Sequence, residues 1–248
     1  MDALSHILSI EPALESFYHD DLITDLVRPL KSGKEATVYC CKAHPSTGEE
    51  LLAAKVYRPL ERRSFRHDAL YQEGRVIPDD RLRRALRTHT PTGRRLQFAL
   101  WVEHEYEALG ALYDAGADVP APVAQSGPAL LMEYLGDEEA SAPLLKHVSL
   151  AREEARRLFD VVMRNIELFL ACDYVHADLS PFNILCWRGE VRIIDFPQAV
   201  DPFDNPSARA LLARDVGNVC RHFARYAVDA DAGQLADDLW TRFLNREL

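Results

Sequence analysis

With 248 residues, 48% of them apolar and 27% charged, the chain has the composition of an ordinary globular protein and enough length to bury a large core. It has no apolar run of about eighteen residues and no basic stretch ahead of an apolar one. We therefore expect no transmembrane helix, no signal peptide and no membrane partner. Five cysteines without a Cys-x-x-Cys spacing indicate reduced thiols and a cytoplasmic location.

The net charge of −10 is unevenly distributed. Between Arg58 and Arg95 lie eleven arginines and five acidic residues, so that segment is basic and the remainder is strongly acidic. A basic segment on an acidic protein can contact nucleic acid, an acidic protein or ATP phosphates, and it can equally be a solvated arginine-rich loop and helix. Aromatic residues do not alternate with the arginines, which gives little support to binding of single-stranded nucleic acid.

The N-terminal half is predicted to form an antiparallel sheet. Residues 1–21 are predicted to form a short amphipathic helix or arm. Three strands joined by short links follow, over residues 22–27, 36–41 and 51–57.

The turn between the first two predicted strands contains Ser32, Gly33 and Lys34. Such a turn can point backbone N–H groups at phosphate oxygens. A Gly-Lys hairpin turn is common, however, and the spacing of a Walker phosphate loop is absent. On its own the turn is a weak indication of nucleotide binding.

Lys55 stands inside an otherwise apolar strand, and the next helix offers it a partner. The helix predicted over residues 94–113 has an apolar stripe, and Glu105 lies in that stripe. The other members of the stripe are Phe98, Val102, Leu109 and Leu112. An inward-facing carboxylate needs a cation, so we predict a Lys55–Glu105 pair. Because desolvation offsets most of the attraction in such a pair, it is better explained as presenting Lys55 to a phosphate than as a stabilising contact.

The second half of the chain is predicted to be mostly helical. A strand over residues 129–136 stops at Gly136 and is followed by an acidic run, which indicates a hinge between two lobes. A helix over residues 150–171 is predicted to be capped by Ser149, with Leu158, Val162, Ile166 and Phe169 inward. Two more helices are predicted near residues 207–226 and 233–246.

Between these helices lies the stretch His176–Asn183, followed by a short strand that ends on Asp195. It places Asp178 and Asn183 on a loop and Asp195 at a strand end. Phosphoryl transfer needs one group to orient the attacking nucleophile and two oxygen ligands to hold Mg²⁺ against a triphosphate. The spacing H-x-D-L-x-x-x-N, followed by a strand and D-F, fits the protein-kinase signature, with Ala177 in place of the usual arginine.

Taken in order, these motifs resemble the RIO family of atypical serine/threonine protein kinases over about residues 22–226. The segments that carry the resemblance are Ser32–Ala36, Ala54–Tyr57, Met132–Asp137, His176–Asn183, Ile194–Gln198 and Arg214–Asn218. The resemblance implies an α+β, two-lobed protein-kinase-like fold. Residues 22–135 would form an N-lobe of antiparallel sheet plus one helix, and residues 136–248 a trimmed, mostly helical C-lobe. An activation segment is expected to be missing, because only 53 residues follow Asp195.

The same resemblance implies roles for the polar residues. Asp178 would orient or accept the proton of the attacking hydroxyl, and Asn183 and Asp195 would ligate Mg²⁺, or Mn²⁺ in its place. Lys55 would hold the α/β-phosphates while paired to Glu105. In this family, the aspartate at position 195 is also thought to take up the phosphoryl group as an aspartyl-phosphate.

A nucleotide site is implied as well. The Glu133 C=O and the Leu135 N–H would bond the adenine edge, and Ala53 and Leu185 would close over its faces. The other residues that the resemblance assigns to the nucleotide are Ser32, Gly33, Lys34, Met132 and Ser180. The resemblance further suggests that Asp215 holds backbone amides of the catalytic loop. Its place on the polar side of the predicted helix allows a surface acid as the alternative.

The sequence also departs from ordinary protein kinases. Pro197 replaces the glycine of D-F-G, and because it lacks an N–H and restricts Phe196 to extended geometry, we predict no Asp-Phe flip. Of the glycine-rich phosphate loop only Gly33 remains.

These observations predict an ATP- and Mg²⁺-dependent serine/threonine protein kinase. The resemblance implies that it also phosphorylates itself and hydrolyses ATP in a cycle through an aspartyl-phosphate. The protein substrate is unknown. A small-molecule phosphotransferase of the aminoglycoside or choline kinase type is an alternative. An ATP-gated assembly factor acting on a ribosomal or other RNA-containing particle is a third, although residues 1–21 are too few for a winged helix.

Overall fold

The computed structural model describes residues 11–58 and 91–248, which fall into two compact units. Among these residues the first unit comprises 11–58, 91–107 and 121–141, and the second comprises 108–120 and 142–248. The lobe boundary predicted between residues 135 and 136 stays a prediction.

The first unit is built on a five-stranded antiparallel sheet with the strand order β1-β2-β3-β5-β4. Its strands are β1 (Ile23–Ser32), β2 (Ala36–Ala43), β3 (Leu51–Tyr57), β4 (Pro122–Ser126) and β5 (Ala129–Glu133). Helix α1 spans Glu11–His19, and helix α2 spans Pro91–Asp114, with its last turns in the second unit.

Strand β3 lies in the middle of this sheet and is buried on both faces. Because side chains alternate along a strand, the two faces of β3 carry different residues. Leu52, Ala54 and Val56 join a core that also contains Leu14 and Phe17 of α1. Lys55 and Tyr57 face the other way, toward α2. The fold therefore holds a lysine in the centre of a sheet, at the opposite face from its main apolar core.

The second unit is mostly helical and contains one β-hairpin. Its elements are α3 (Arg152–Ala171), β6 (Ile184–Trp187), β7 (Glu190–Ile193), α4 (Ala208–Phe223) and α5 (Ala232–Asn245). The predicted inward residues of α3 are buried, from Leu158 at 0% to Ile166 at 3% exposure. Phe159 of α3 packs edge-on against Phe223 of α4, with ring centroids 5.6 Å apart.

Several predicted elements need correction. The first strand ends at Ser32 instead of residue 27, so Ser32 belongs to β1 and only the next three residues form the turn. Strands β4 and β6 were not predicted. Ser149 does not cap α3; the cap residue is Ala151, without a side-chain hydrogen bond. Glu153 and Glu154 in the first turn face the positive end of the helix dipole instead.

The predicted N-terminal arm and the predicted arginine-rich segment are only partly covered by the residues that the structure describes. Residues 1–10 of the predicted N-terminal arm and most of the arginine-rich segment, residues 59–90, lie outside the described residues. Within the part of the chain that is described, no helix combines the length and the apolar character needed to cross a bilayer.

Candidate active site

In the first unit, Lys55 and Glu105 form a buried ion pair, as predicted. Lys55 Nζ lies 2.6 Å from Glu105 Oε1, and the two residues are 7% and 2% exposed. Tyr57 donates its hydroxyl hydrogen to the other carboxylate oxygen. Tyr57 was not singled out from the sequence, because an aromatic residue in a strand is ordinarily a core residue. Both oxygens of Glu105 are thus engaged, and the lysine ammonium is held in place.

The predicted phosphate turn closes on itself in the structure. Gly33 donates its N–H to the C=O of Ala36 at 2.9 Å, so that amide is used within the turn. The Ser32 hydroxyl accepts a 2.5 Å hydrogen bond from the Arg58 guanidinium. Lys34 is exposed. All three residues assigned to phosphate are exposed, and within the described part of the chain the side chain of Lys34 makes no hydrogen bond.

The residues assigned to adenine in the first unit lie at the end of β5 and opposite it. Ala53 and Met132 are register partners, so the structure brings them together. Glu133 is fixed by two bonds to Ala121, its N–H to the C=O of Ala121 at 2.8 Å and its carboxylate to the N–H at 3.1 Å. Leu135 follows as a half-buried residue outside the strand. Leu185 belongs to β6 of the second unit.

In the second unit, Asp178 and Asn183 are joined within one loop. The Asn183 amide donates to the backbone C=O of Asp178 at 2.9 Å and to its Oδ2 at 3.2 Å. The Asn183 N–H bonds the C=O of Ser180 at 2.9 Å. Because its NH₂ group is directed at Asp178, the oxygen of this nearly buried amide is the atom left for a ligand. We call residues 176–183 the catalytic loop.

His176 links this loop to the strand end before Asp195. Its Nδ1 accepts from the N–H of Asp178 at 3.3 Å, and its Nε2 lies 3.1 Å from the C=O of Ile194. These bonds assign the neutral tautomer with the proton on Nε2. The ring also packs against Phe196, with centroids 4.7 Å apart. The sequence motif included His176 without giving it this part in positioning Asp178 and Asp195.

Helix α4 holds the catalytic loop through its backbone. Asp215 accepts from the N–H groups of Ala177 at 2.7 Å and Leu179 at 3.0 Å. Arg214 donates to the C=O of Ala177, and Asn218 donates to the C=O of Leu179 at 3.0 Å. Asp215 is 2% exposed, so the alternative of a surface acid is wrong. The role suggested by the resemblance is the one that the geometry shows.

Burial strongly changes the pKa of the Asp215 carboxyl. Desolvation raises the pKa of its carboxyl to about 8, while Arg214 and the two N–H bonds act in the opposite direction. Each oxygen accepts a backbone hydrogen bond, and these bonds favour the ionised form against the desolvation. The backbone that Asp215 binds has an unusual conformation, because Ala177 adopts a φ of 63° in the left-handed region. The four bonds from α4 keep this loop in a conformation that an alanine does not favour.

The Asp178 carboxyl is affected by the charge of Asp195. The pKa of Asp178 is raised, first by desolvation and then by the negative charge of Asp195, and it is lowered in part by Arg214 and Asn183. Asp195 is half-buried and has a φ of 77°. Two carboxylates that repel each other beside a free amide oxygen favour a divalent cation.

The donor set fits magnesium. Among the described residues, no group of three or more His, Cys, Asp or Glu side chains could hold a metal by itself. Mg²⁺ is usually held by one or two carboxylates together with phosphate oxygens and water, rather than by an all-protein cage. Asn183 and Asp195 supply hard oxygen ligands of that kind.

The chain has relatives among characterised proteins. The RIO domain family model matches residues 37–235. The chain is 34% identical to the serine/threonine-protein kinase RIO1 of Caenorhabditis elegans, over 80% of this chain and 37% of that protein. It is 34% identical to human RIO1 over 84% of this chain and 34% of that one. It is 31% identical to the RIO-type serine/threonine-protein kinase Rio1 of Haloferax volcanii, over 90% of this chain and 71% of that protein. The chain thus spans little more than a third of the length of these animal relatives.

Two solved structures from Chaetomium thermophilum have the same fold. The Rio2 kinase is 24% identical, with a TM-score of 0.66 over 91% of this chain and 66% of that one. The Rio2 kinase chain in the ADP/Mg²⁺–phosphoaspartate complex is 23% identical, with a TM-score of 0.64 over 91% of this chain and 64% of that one. The predicted protein-kinase-like fold is confirmed by this likeness, together with the antiparallel sheet of the first unit and the helices of the second.

Proposed function

The chain belongs to the RIO domain family, and from this premise we propose that it is an ATP- and Mg²⁺-dependent serine/threonine protein kinase. The observation that carries the proposal is the catalytic loop. There the Asn183 amide fixes the Asp178 carboxylate, and Asp215 fixes the backbone on either side of it. This is a positioned base beside a metal ligand, which is what transfer of a phosphoryl group to a hydroxyl requires.

In the proposed reaction, Asp178 orients the acceptor hydroxyl and takes up its proton. Its raised pKa brings the carboxylate closer to the basicity that a proton acceptor needs near neutral pH. Asn183 and Asp195 hold Mg²⁺, which when bound neutralises charge that develops on the phosphates. The family resemblance also allows Mn²⁺ at the same oxygen ligands.

Lys55 binds the α/β-phosphates in this proposal. Glu105 and Tyr57 keep its ammonium in one place, so the lysine loses little freedom when it meets a phosphate. The peptide groups of Glu133 and Leu135 bind the adenine edge, with Ala53, Met132 and Leu185 against its faces. Ser32, Gly33, Lys34 and Ser180 complete the residues assigned to the nucleotide.

Asp195 is also the proposed acceptor of an aspartyl-phosphate. A carboxylate oxygen of Asp195 bonds to the γ-phosphorus as the bond to the β–γ bridging oxygen breaks, and ADP leaves with that electron pair. Water or a serine or threonine hydroxyl then takes the phosphoryl group and regenerates the carboxylate. The presence of phosphoaspartate in the solved Rio2 complex supports this route.

The cellular setting is proposed from the composition. All five cysteines are free, although Cys40 and Cys41 are adjacent in one strand, and this suits a reducing cytoplasm. We include the chain itself among the phospho-acceptors. We also include contact with a ribosomal or other RNA-containing assembly, which the family resemblance implies and which the basic composition of the Arg58–Arg95 segment would suit.

The test is labelling with [γ-³²P]ATP and Mg²⁺. Wild-type protein should become labelled and release ADP, and a hydroxylamine-labile part of the label should disappear in Asp195→Ala. Asp178→Asn should transfer phosphate to hydroxyls about 10²–10⁴-fold more slowly while its affinity for ATP stays close to that of the wild type. Absence of any label or ADP from folded wild-type protein would contradict the proposal. Stimulation of ADP release by an aminoglycoside or an amine alone would favour the small-molecule alternative.

A further inference from the structure

The catalytic loop presents an exposed aromatic ring that the proposed reaction does not use. Phe182 is 46% exposed, and Lys146 Nζ lies 3.6 Å from the centroid of its ring. A cation this close to an aromatic face is a specific contact, because such interactions extend to about 6 Å. We call Phe182 and Lys146 the phenyl–ammonium pair.

Backbone hydrogen bonds fix the position of this pair. Lys146 donates its N–H to the C=O of Pro181 at 3.1 Å, and the C=O of Pro143 accepts from the N–H of Cys186 at 2.9 Å. The segment that carries Lys146 therefore runs beside residues 181–186. A surface formed by two anchored segments is better ordered than a single exposed side chain.

The pair also lies close to the proposed base. Asn183, the residue after Phe182, is hydrogen-bonded to both the backbone and the carboxylate of Asp178. Four residues of fully extended chain span at most about 14 Å, and this loop is folded back on itself. A peptide that placed its hydroxyl at Asp178 would thus bring its neighbouring residues within reach of Phe182.

The chemistry of the pair indicates what those neighbours should be. Lys146 is the only lysine after position 55, and in the part of the chain that the structure describes it has no carboxylate within ion-pair distance. His147 beside it is exposed too. An acidic side chain would gain a cation here and an arginine would be repelled, while an aliphatic side chain could cover the open part of the phenyl ring.

We propose that the phenyl–ammonium pair selects acceptor segments with an acidic and an aliphatic side chain within about four residues of the serine or threonine. This inference rests on the proposed kinase activity and adds the class of substrate. The occupant is a protein segment, and the surface discriminates by attraction to acids and by repulsion of arginine.

Two synthetic serine peptides of equal length test it, one with glutamate and leucine beside the serine and one with arginine in place of glutamate. Wild-type protein should phosphorylate the acidic peptide with a kcat/KM about tenfold higher, which corresponds to about 1.4 kcal/mol. Lys146→Ala should bring the ratio near one, and Lys146→Glu should invert it. Phe182→Ala should raise KM for both peptides, since both carry the leucine.

Arg188→Glu is the matched control, because Arg188 is an exposed cation in the turn at the far end of the β6–β7 hairpin. It should leave the peptide ratio at the wild-type value. A wild-type ratio in both Lys146 variants would overturn the inference. So would self-labelling of the wild type without phosphorylation of either peptide, an outcome that leaves the kinase proposal intact. Complete lack of phosphate transfer would instead contradict the proposed function, and the inference with it.

Discussion

The buried contact of Glu105 with Lys55 has a larger effect on the orientation of the lysine than on the stability of the fold. Its carboxylate is 2% exposed and binds Lys55 and Tyr57 through different oxygens. Burial of two charges costs several kcal/mol, and their attraction does little more than offset that cost. The contact therefore contributes little net stability, and its main consequence is a lysine ammonium held in one orientation.

Glu105→Gln should accordingly affect both stability and nucleotide affinity. The variant removes the carboxylate charge from a buried ion pair, which typically costs about 3–5 kcal/mol, and KM for ATP should rise. Urea unfolding and steady-state kinetics measure the two effects. Tyr57→Phe is the matched control, because it removes one hydrogen bond and keeps the ion pair, and it should cost only about 1 kcal/mol. Equal effects of the two substitutions would mean that the ion pair does not hold Lys55.

His222 near the end of α4 is a buried histidine with no part in the proposed reaction. It is 5% exposed, and its Nδ1 lies 2.6 Å from the Arg225 guanidinium, so Nδ1 is the acceptor and Nε2 carries the proton. In the described part of the chain, Nε2 has no hydrogen-bond partner. Burial, and then the charge of Arg225, lower the pKa of His222 to about 4.

This lowered pKa predicts a stability that depends on pH. The folded state takes up a proton less readily than the unfolded chain, whose histidine pKa is about 6.5. The contribution of His222 should be present above pH 6.5 and should fall by about 3 kcal/mol as the pH decreases to 4. The difference in unfolding free energy between wild type and His222→Gln should shrink over that range. A difference that is constant from pH 7 to pH 4.5 would contradict the assignment.

At the scale of single residues, the sequence predicted the contacts in which a charge interrupts an apolar pattern. Glu105 stood in an apolar helix stripe and Lys55 in an apolar strand, and the two are paired. Asp215 gave no such signal, because it lies beside the apolar stripe of α4. It is buried by the catalytic loop, whose contact with the helix is made of backbone polar groups that apolar periodicity cannot reveal.

Helix α4 shows how one element can position a catalytic group that it does not contain. Three of its side chains, Arg214, Asp215 and Asn218, bond the N–H and C=O groups on either side of Asp178. Asn218 is in turn bonded by Arg221 at 3.1 Å. The opposite face of the helix packs in the core through Val216, so a shift of α4 would move the loop as well.

Removing these bonds should affect turnover more than binding. Asp215→Asn keeps the shape but replaces an acceptor by an NH₂ group that faces an N–H, and a misplacement of about 1 Å can cost about 10²-fold in rate. We expect kcat to fall by about that factor, and by about tenfold in Asn218→Ala, with KM for ATP nearly unchanged. Arg209→Ala on the same helix removes only a surface ion pair with Asp237 and should leave kcat at the wild-type value. Parallel losses in kcat and ATP affinity would show that the helix acts on the whole unit instead.

Among the elements, length and periodicity decided what could be predicted. The long helices and the strand Leu51–Tyr57 were found from the sequence because their apolar patterns are extended. Strand β4 contains a proline, a glutamine and a serine, and it forms because it pairs with β5. Strand β6 has four residues directly after the catalytic loop and forms a hairpin with β7. Such short strands are stabilised by pairing with the neighbouring strand of their hairpin, which the pattern of their own few residues does not reveal.

For the whole molecule, the proposal assigns groups of both units to one nucleotide. Lys55 belongs to the first unit, and Asn183 and Asp195 belong to the second. The family match spans both, from residue 37 to residue 235. Binding to the folded protein alone raises its stability by RT ln(1 + [L]/Kd), which is about 2.7 kcal/mol at a hundredfold excess over Kd. Nucleotide-induced stabilisation thus reports on all assigned residues in a single measurement, without need of a protein substrate.

ATP with Mg²⁺ should raise the melting temperature by about 5–10 °C under those conditions, given about 2–4 °C per kcal/mol for a protein of this size. EDTA should remove most of that shift, because the ligand oxygens of Asn183 and Asp195 would then face the phosphates without a cation between them. Lys55→Met in the first unit and Asn183→Ala in the second should each reduce the shift, whereas Arg209→Ala should not. If only one of the two substitutions reduced it, the residues of the other unit would have no part in binding, and the assignment of both sets to one triphosphate would be wrong.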